Sequence, residues 1–145
     1  MSEASRVPGS PLLLYDGVCG LCNRVVQAVL HRDPAGHFRF AALQSGFARR
    51  TLARHGKDPC DLGTMYVVVD PEGPAERLLA KSDAALHVLG RLGHGRLLGA
   101  VLRALPTRLR DRGYDAIVSR RYRLFGRLDA CPVPGSEHRT RFIDA

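Results

Sequence analysis

Tryptophan is missing from this chain, lysine stands only at Lys57 and Lys81, and no long apolar stretch is free of charge. The last absence argues against a membrane span. The most apolar region, Ala84 to Leu105, would have to carry His87, Arg91, His94, Arg96 and Arg103 into hydrocarbon. Residues Met1 to Pro11 hold two prolines among Ser, Glu, Arg and Gly and lack the apolar core of a secretory signal, so 1–11 reads as a disordered leader. Cysteine is scarce as well. Four cysteines without an export signal imply a reducing, cytoplasmic setting, where a lasting structural disulfide is not expected and a close pair does chemistry or binds metal.

What is present has an ordinary globular balance. With 145 residues, 45% apolar and 25% charged, the chain fits a single domain over 12–145 around one hydrophobic core. The net charge is +8, from 22 basic and 14 acidic residues, and its placement is uneven. Ten arginines and only two acids, Asp111 and Asp115, fall between Arg91 and Arg127. Such a field attracts nucleic acid, anionic lipid or an acidic protein. Few aromatics are interleaved there and no nucleic-acid motif appears, so a solvated basic face is the preferred reading and a nucleic-acid partner is not expected.

Leu12-Leu13-Leu14-Tyr15 is a short apolar run ending at Asp16-Gly17, the pattern of a buried strand stopped by a turn. Cys22, Val25, Val26, Val29 and Leu30 follow the stripe of an amphipathic helix, ended by Pro34 and Gly36. Phe38, Phe40 and Ala42 alternate with Arg39 and Ala41 as a second strand to about Leu43, which suggests a right-handed parallel crossover. A short helix over Phe47 to His55 closes at Gly56. Thr64 to Val69 reads as a third strand, turned at Asp70-Pro71-Glu72-Gly73 into an antiparallel fourth over Glu76 to Ala80. Ser82 looks like the N-cap of a helix with Ala85, Leu86, Leu89 and Leu92 inward, ending at Gly93 and Gly95. Leu97 to Leu105 forms another helix before Pro106, and Arg108 to Phe125 is largely helical with Ile117 and Val118 inward. The expected fold is α/β: a mixed sheet of about four strands flanked by helices, a helical extension at about 95–126 and a tail over 127–145.

The chemistry sits at Cys19-Gly20-Leu21-Cys22. Two cysteines separated by two residues, where a buried strand meets a helix N-terminus, meet the needs of dithiol exchange. Unpaired N–H groups and the positive end of the helix dipole stabilise an anion there, so Cys19 should ionise more easily than a free thiol and attack first. Cys22, one turn later, should point toward the core and resolve the mixed disulfide. Gly20 allows a tight turn, and Leu21 offers an apolar contact to substrate. Asp16 can accept turn N–H groups, the favoured role, or take the proton of Cys22. Other readings stay open. The pair could be two inert thiols, or part of a metal site needing two more ligands when Cys60 and Cys131 are lone residues, and no bound metal or cofactor is expected.

Tyr15-Asp16-Gly17-Val18-Cys19-Gly20-Leu21-Cys22-Asn23 resembles the signature of the DCC family of thiol-disulfide oxidoreductase-like proteins. Ser82-Asp83-Ala84, Tyr122-Arg123-Leu124-Phe125-Gly126 and the tail from Cys131-Pro132 to Arg141-Phe142 look like further family segments. The resemblance implies a thioredoxin-like fold and disulfide reductase chemistry at Cys19 and Cys22, with Asp16 as the accompanying acid. Thioredoxins place a cis-proline before the strand facing the redox pair. Here Gly63-Thr64 precedes that strand, which makes Thr64 a candidate substrate contact alongside Gly20 and Leu21. The expected partners are a disulfide-bearing protein or small-molecule disulfide and a recycling reductant such as thioredoxin or glutathione. An alternative is a redox-sensing module that docks an acidic partner or membrane surface through its arginine-rich region.

Overall fold

Leu12-Leu13-Leu14-Tyr15 is apolar at every position because its strand is covered on both faces. In the computed structural model the sheet comprises β1 (Leu12–Tyr15), β2 (Arg39–Ala42), β3 (Tyr66–Val69), β4 (Arg77–Ala80) and β5 (Phe142–Ile143), in the order β4-β3-β1-β2-β5. The structure describes residues 10–33, 36–58, 63–71, 73–92, 96–127 and 141–143, with only the backbone of Leu92 and Arg96. β1 runs parallel to β2 and antiparallel to β3, and β3 pairs antiparallel with β4. The helices are α1 (Gly20–Arg32), α2 (Gly46–Arg54), α3 (Lys81–Leu92), α4 (Arg96–Arg103), α5 (Thr107–Ser119) and α6 (Arg121–Phe125).

Alternating side chains sort into two layers. Leu13, Tyr15, Phe40 and Val67 meet Val26, Val29 and Leu30 of α1 and Ala84 and Val88 of α3. On the other face Leu12, Leu14, Ala41 and Val68 meet Ala48 and Leu52 of α2. A β1–α1–β2 crossover followed by an antiparallel β3–β4 hairpin and a helix is a thioredoxin-like arrangement. The mixed α/β architecture is therefore the expected one.

Several sequence expectations need correction. The sheet has five strands rather than about four, because the tail returns as β5 parallel to β2, with Phe142 opposite Phe40. Their rings stack with centroids 5.1 Å apart. Arg141 holds this strand in place. Its guanidinium reaches Asp33 Oδ2 at 2.6 Å and the Phe38 carbonyl at 3.1 Å, while Asp33 also accepts the Phe38 amide at the end of α1. Ser10 and Pro11, expected within a disordered leader, are buried, and the Pro11 carbonyl accepts from the Arg39 amide. Ser82 caps nothing. β4 passes directly into α3 through Lys81, at φ 53°, and the Ser82 hydroxyl donates to Asp111 of α5.

In α3, Leu86 is buried as expected, but Ala84 and Val88 are buried with it while Ala85 and Leu89 are only partly so. Arg108 to Phe125 is largely helical as expected, in two helices that meet at Arg120, but Ile117 is exposed rather than inward because α5 turns Asp111, Tyr114 and Val118 toward the body. Pro34, Cys60, Glu72, Gly93, Gly95 and Cys131-Pro132, with residues 1–9, lie outside the described residues.

Phe142→Ala removes a buried ring from a two-residue strand, and its expected cost is about 3 kcal/mol. Urea unfolding of the variant measures it.

Candidate active site

The turn after β1 is shaped by one carboxylate. Asp16 Oδ1 accepts the Val18 amide at 3.1 Å and the Gln44 side-chain amide at 2.7 Å, while its carbonyl accepts the Cys19 amide. The turn role expected of Asp16 is thus present. Gln44 also accepts from the Gly17 amide, and the Asn23 amide bridges the Gly17 and Cys19 carbonyls. These bonds hold Cys19 in the extended conformation of a helix cap.

The Cys19 sulfur then takes the place of a capping oxygen. Cys19 Sγ accepts the Cys22 backbone N–H at 3.3 Å, one of the amides at the mouth of α1 that the helix itself leaves unpaired. Both cysteines are free thiols. Burial pushes the Cys22 thiol up to about 12, reinforced by the charge of Cys19 and a hydrogen bond to it, against a smaller opposing pull from the Asp16 backbone. A Cys22 sulfur beside a Cys19 anion keeps its proton.

The second oxygen of Asp16 reaches across the chain. Oδ2 accepts a hydrogen bond from the Tyr122 hydroxyl and an ion pair from Arg121 Nη2 at 3.4 Å, so α6 is tied to the turn. Burial and this bond to Asp16 raise the Tyr122 phenol and keep it a donor. The Arg121 guanidinium lies over the Tyr122 ring at 4.3 Å, and Arg127 lies over it at 5.3 Å.

Just beyond α6 the backbone closes on the dithiol. Gly20 N–H donates to the Gly126 carbonyl at 3.1 Å, and Cys19 forms an isolated antiparallel bridge with Arg127. A Cβ at position 20 would lie 2.0 Å from the Phe125 carbonyl oxygen, so only glycine permits this approach. Gly126 makes the bend with φ +82°. Cys19, expected at an exposed turn, is instead 0% exposed under this strap, whereas Cys22 is partly buried and packs against the core as expected. Leu21 is partly exposed beside them.

Thr64 is buried ahead of β3, and the backbone of the next residue is fully engaged. Met65 N–H donates to the Tyr114 hydroxyl at 2.7 Å, and its carbonyl accepts from Lys81. Tyr114, pushed to about 12 chiefly by burial, also feels the charge of Cys22, which places α5 beside the second thiol. Among the described residues no group of three or more His, Cys, Asp or Glu converges as metal ligands do.

Comparison with known proteins matches residues 13–127 to the model of the DCC1-like thiol-disulfide oxidoreductase family. The chain belongs to that family. Two relatives place the DCC-type site in context. The Bacillus subtilis protein YuxK, described as uncharacterised, is 35% identical over 132 residues, covering 91% of this chain and 93% of that one. A DCC family protein of Arabidopsis thaliana, described as chloroplastic, is 34% identical over 124 residues, covering 85% and 69%. No solved structure matches at significance.

Sequence reasoning named Cys19, Cys22 and Asp16 and missed Gln44, Tyr114 and Arg121 as their neighbours. Tyr122 was noticed only within a DCC-like segment. Gln44 follows the second strand without any local signature, and Arg121 is one arginine among ten in that region.

Gly20→Ala forces Phe125 and Gly126 off the helix mouth. The expected result is a loss of about 2 kcal/mol of stability together with faster alkylation of Cys19, read by iodoacetamide labelling and mass spectrometry. Cys22 supplies a pH test. Its folded value of about 12 lies above the ordinary 9.0, so the folded state keeps a proton that the unfolded chain releases between those limits. Stability of the reduced protein should therefore fall as pH rises from about 9 toward 12, and fall less in Cys22→Ser, by urea midpoints across the alkaline range.

Proposed function

We propose that this DCC1-like protein is a disulfide reductase in which Cys19 attacks and Cys22 resolves. The observation that carries the reading is the Cys19 sulfur in the capping position of α1, accepting the Cys22 amide. An anion there gains from the helix dipole and from a directed N–H, while Cys22 is held protonated by burial and by that same anion. The two thiols thus differ in readiness, as sequential exchange requires.

In the first step the Cys19 thiolate attacks one sulfur of a substrate disulfide; that S–S bond breaks and its other sulfur leaves as a thiolate. Cys22 then attacks Cys19 Sγ of the mixed disulfide, expelling the second substrate sulfur, and the Cys22 proton passes to the departing thiolate. Two electrons have moved to the substrate, and Cys19 and Cys22 are left joined. An external thiol such as thioredoxin or glutathione returns them to the reduced state. Asp16 serves as the positioning carboxylate, since Val18, Gln44, Tyr122 and Arg121 occupy its oxygens.

Attack requires the Gly126-Arg127 strap to lift from Cys19, which then opens Gly20 and Leu21 to a substrate chain. The substrate is a disulfide-bearing protein or a small disulfide, and the chemistry suits a reducing compartment such as the cytoplasm. No helix among the described residues is long and apolar enough to cross a membrane.

Cys19→Ser should abolish turnover of a model disulfide, and Cys22→Ser should accumulate mixed disulfides through Cys19, seen by non-reducing electrophoresis and mass spectrometry. Full activity in Cys19→Ser would refute the assignment.

A further inference from the structure

Among the described residues the large apolar side chains left in solvent are concentrated on one short stretch. Leu97, Leu98, Val101, Leu105 and Leu109 are all exposed, Leu97 by 81%. In α4, Leu97, Leu98 and Val101 form one helical face, because Val101 lies four residues after Leu97 and three after Leu98, while Leu105 follows the helix end and Leu109 lies on α5. The opposite face holds α4 to the body. Gly99 is buried, and Arg103 Nη2 lies within 3.7 Å of where a Cβ on Gly90 of α3 would stand. The helix is therefore strongly amphipathic with its apolar side outward, the reverse of a helix serving a core.

The adjoining charge is mainly positive. On α5, Asp111 is half-buried and accepts from Ser82, the exposed Asp115 pairs with Lys81, and the exposed Asp83 of α3 pairs with Arg110. Leu109, Arg112 and Ala116 are exposed on α5, with Arg108 and Arg120 beside them. These three arginines outnumber Asp115, the one exposed acid of α5, and leave positive charge in excess beside the leucines.

We infer that the outer faces of α4 and α5 dock on an anionic lipid surface. Apolar side chains in the plane of a helix, flanked by arginines, suit the boundary between acyl chains and negatively charged headgroups. A second copy of this chain would bury the same leucines only by bringing arginine against arginine, which charge repulsion opposes. Tyr114, on the inner side of α5, reaches Met65 and lies within electrostatic range of Cys22. Docking would therefore leave the dithiol on the side of α5 away from the lipid.

The absence of tryptophan makes the test direct. Val101→Trp places a single indole in the exposed apolar face, and its emission should shift to the blue with vesicles of equal parts phosphatidylglycerol and phosphatidylcholine. No shift should occur with phosphatidylcholine alone. In the same background Arg108→Gln and Arg112→Gln should each weaken partitioning by about fivefold. Leu97→Asp should abolish the shift without unfolding the domain, as its side chain is in solvent. The inference is overturned by equal binding to both vesicle types, by absence of binding, or by sedimentation with anionic vesicles without a spectral shift. A shift that grows with protein concentration in the absence of lipid would assign the face to a second copy. A shift with polyglutamate but not with vesicles would assign it to an acidic protein.

Discussion

Asp16 is buried to 1% exposure between the end of a central strand and the start of a helix, and a carboxylate in that position must have partners for its charge. It takes them from three parts of the chain: the turn itself, Gln44 after β2, and Arg121 and Tyr122 from α6. Each partner constrains something different. Val18 and Gln44 determine how the turn delivers Cys19 to the helix mouth, whereas Arg121 and Tyr122 bring the end of the helical extension over it. Asp16 thus joins the dithiol turn to the segment that covers it, alongside the main-chain contact of Gly20 with Gly126.

The covered dithiol combines two requirements that pull in opposite directions. Burial strengthens the field of the helix terminus at Cys19 and keeps the neighbouring thiol protonated, since two sulfurs this close cannot both ionise easily. Burial also denies a protein substrate access to the first sulfur. The segment across Cys19 is held by the Gly20–Gly126 main-chain bond, the bridge of Cys19 to Arg127, Arg24 over the Phe125 ring and the contacts of α6 with Asp16. The core proper lies elsewhere, in the two layers on either side of β1.

The C-terminal third follows a different logic from the rest. α5 is bound to the domain mainly by polar contacts, Asp111 to Ser82, Asp115 to Lys81 and Tyr114 to Met65, rather than by a broad apolar face. That arrangement engages Asp111 and Asp115 in contacts within the domain and leaves arginines and leucines exposed. The tail then returns to extend the sheet as β5, held by Arg141 on Asp33.

Local chemistry determined much of the protein before any long-range contact was known. The apolar run at Leu12 to Tyr15, the helical stripe from Cys22 to Leu30, the hairpin turn at Asp70 and the paired cysteines at a strand–helix junction are all signals carried by neighbouring residues, and each appears where it was expected. What tertiary structure alone decided depends on residues about a hundred positions apart. Tyr122 and Arg121 on Asp16, Arg141 on Asp33 and Gly126 over Gly20 leave no periodicity or spacing to read. The burial of Cys19 has the same origin: a helix terminus can be inferred from local pattern, but not which distant backbone lies across it.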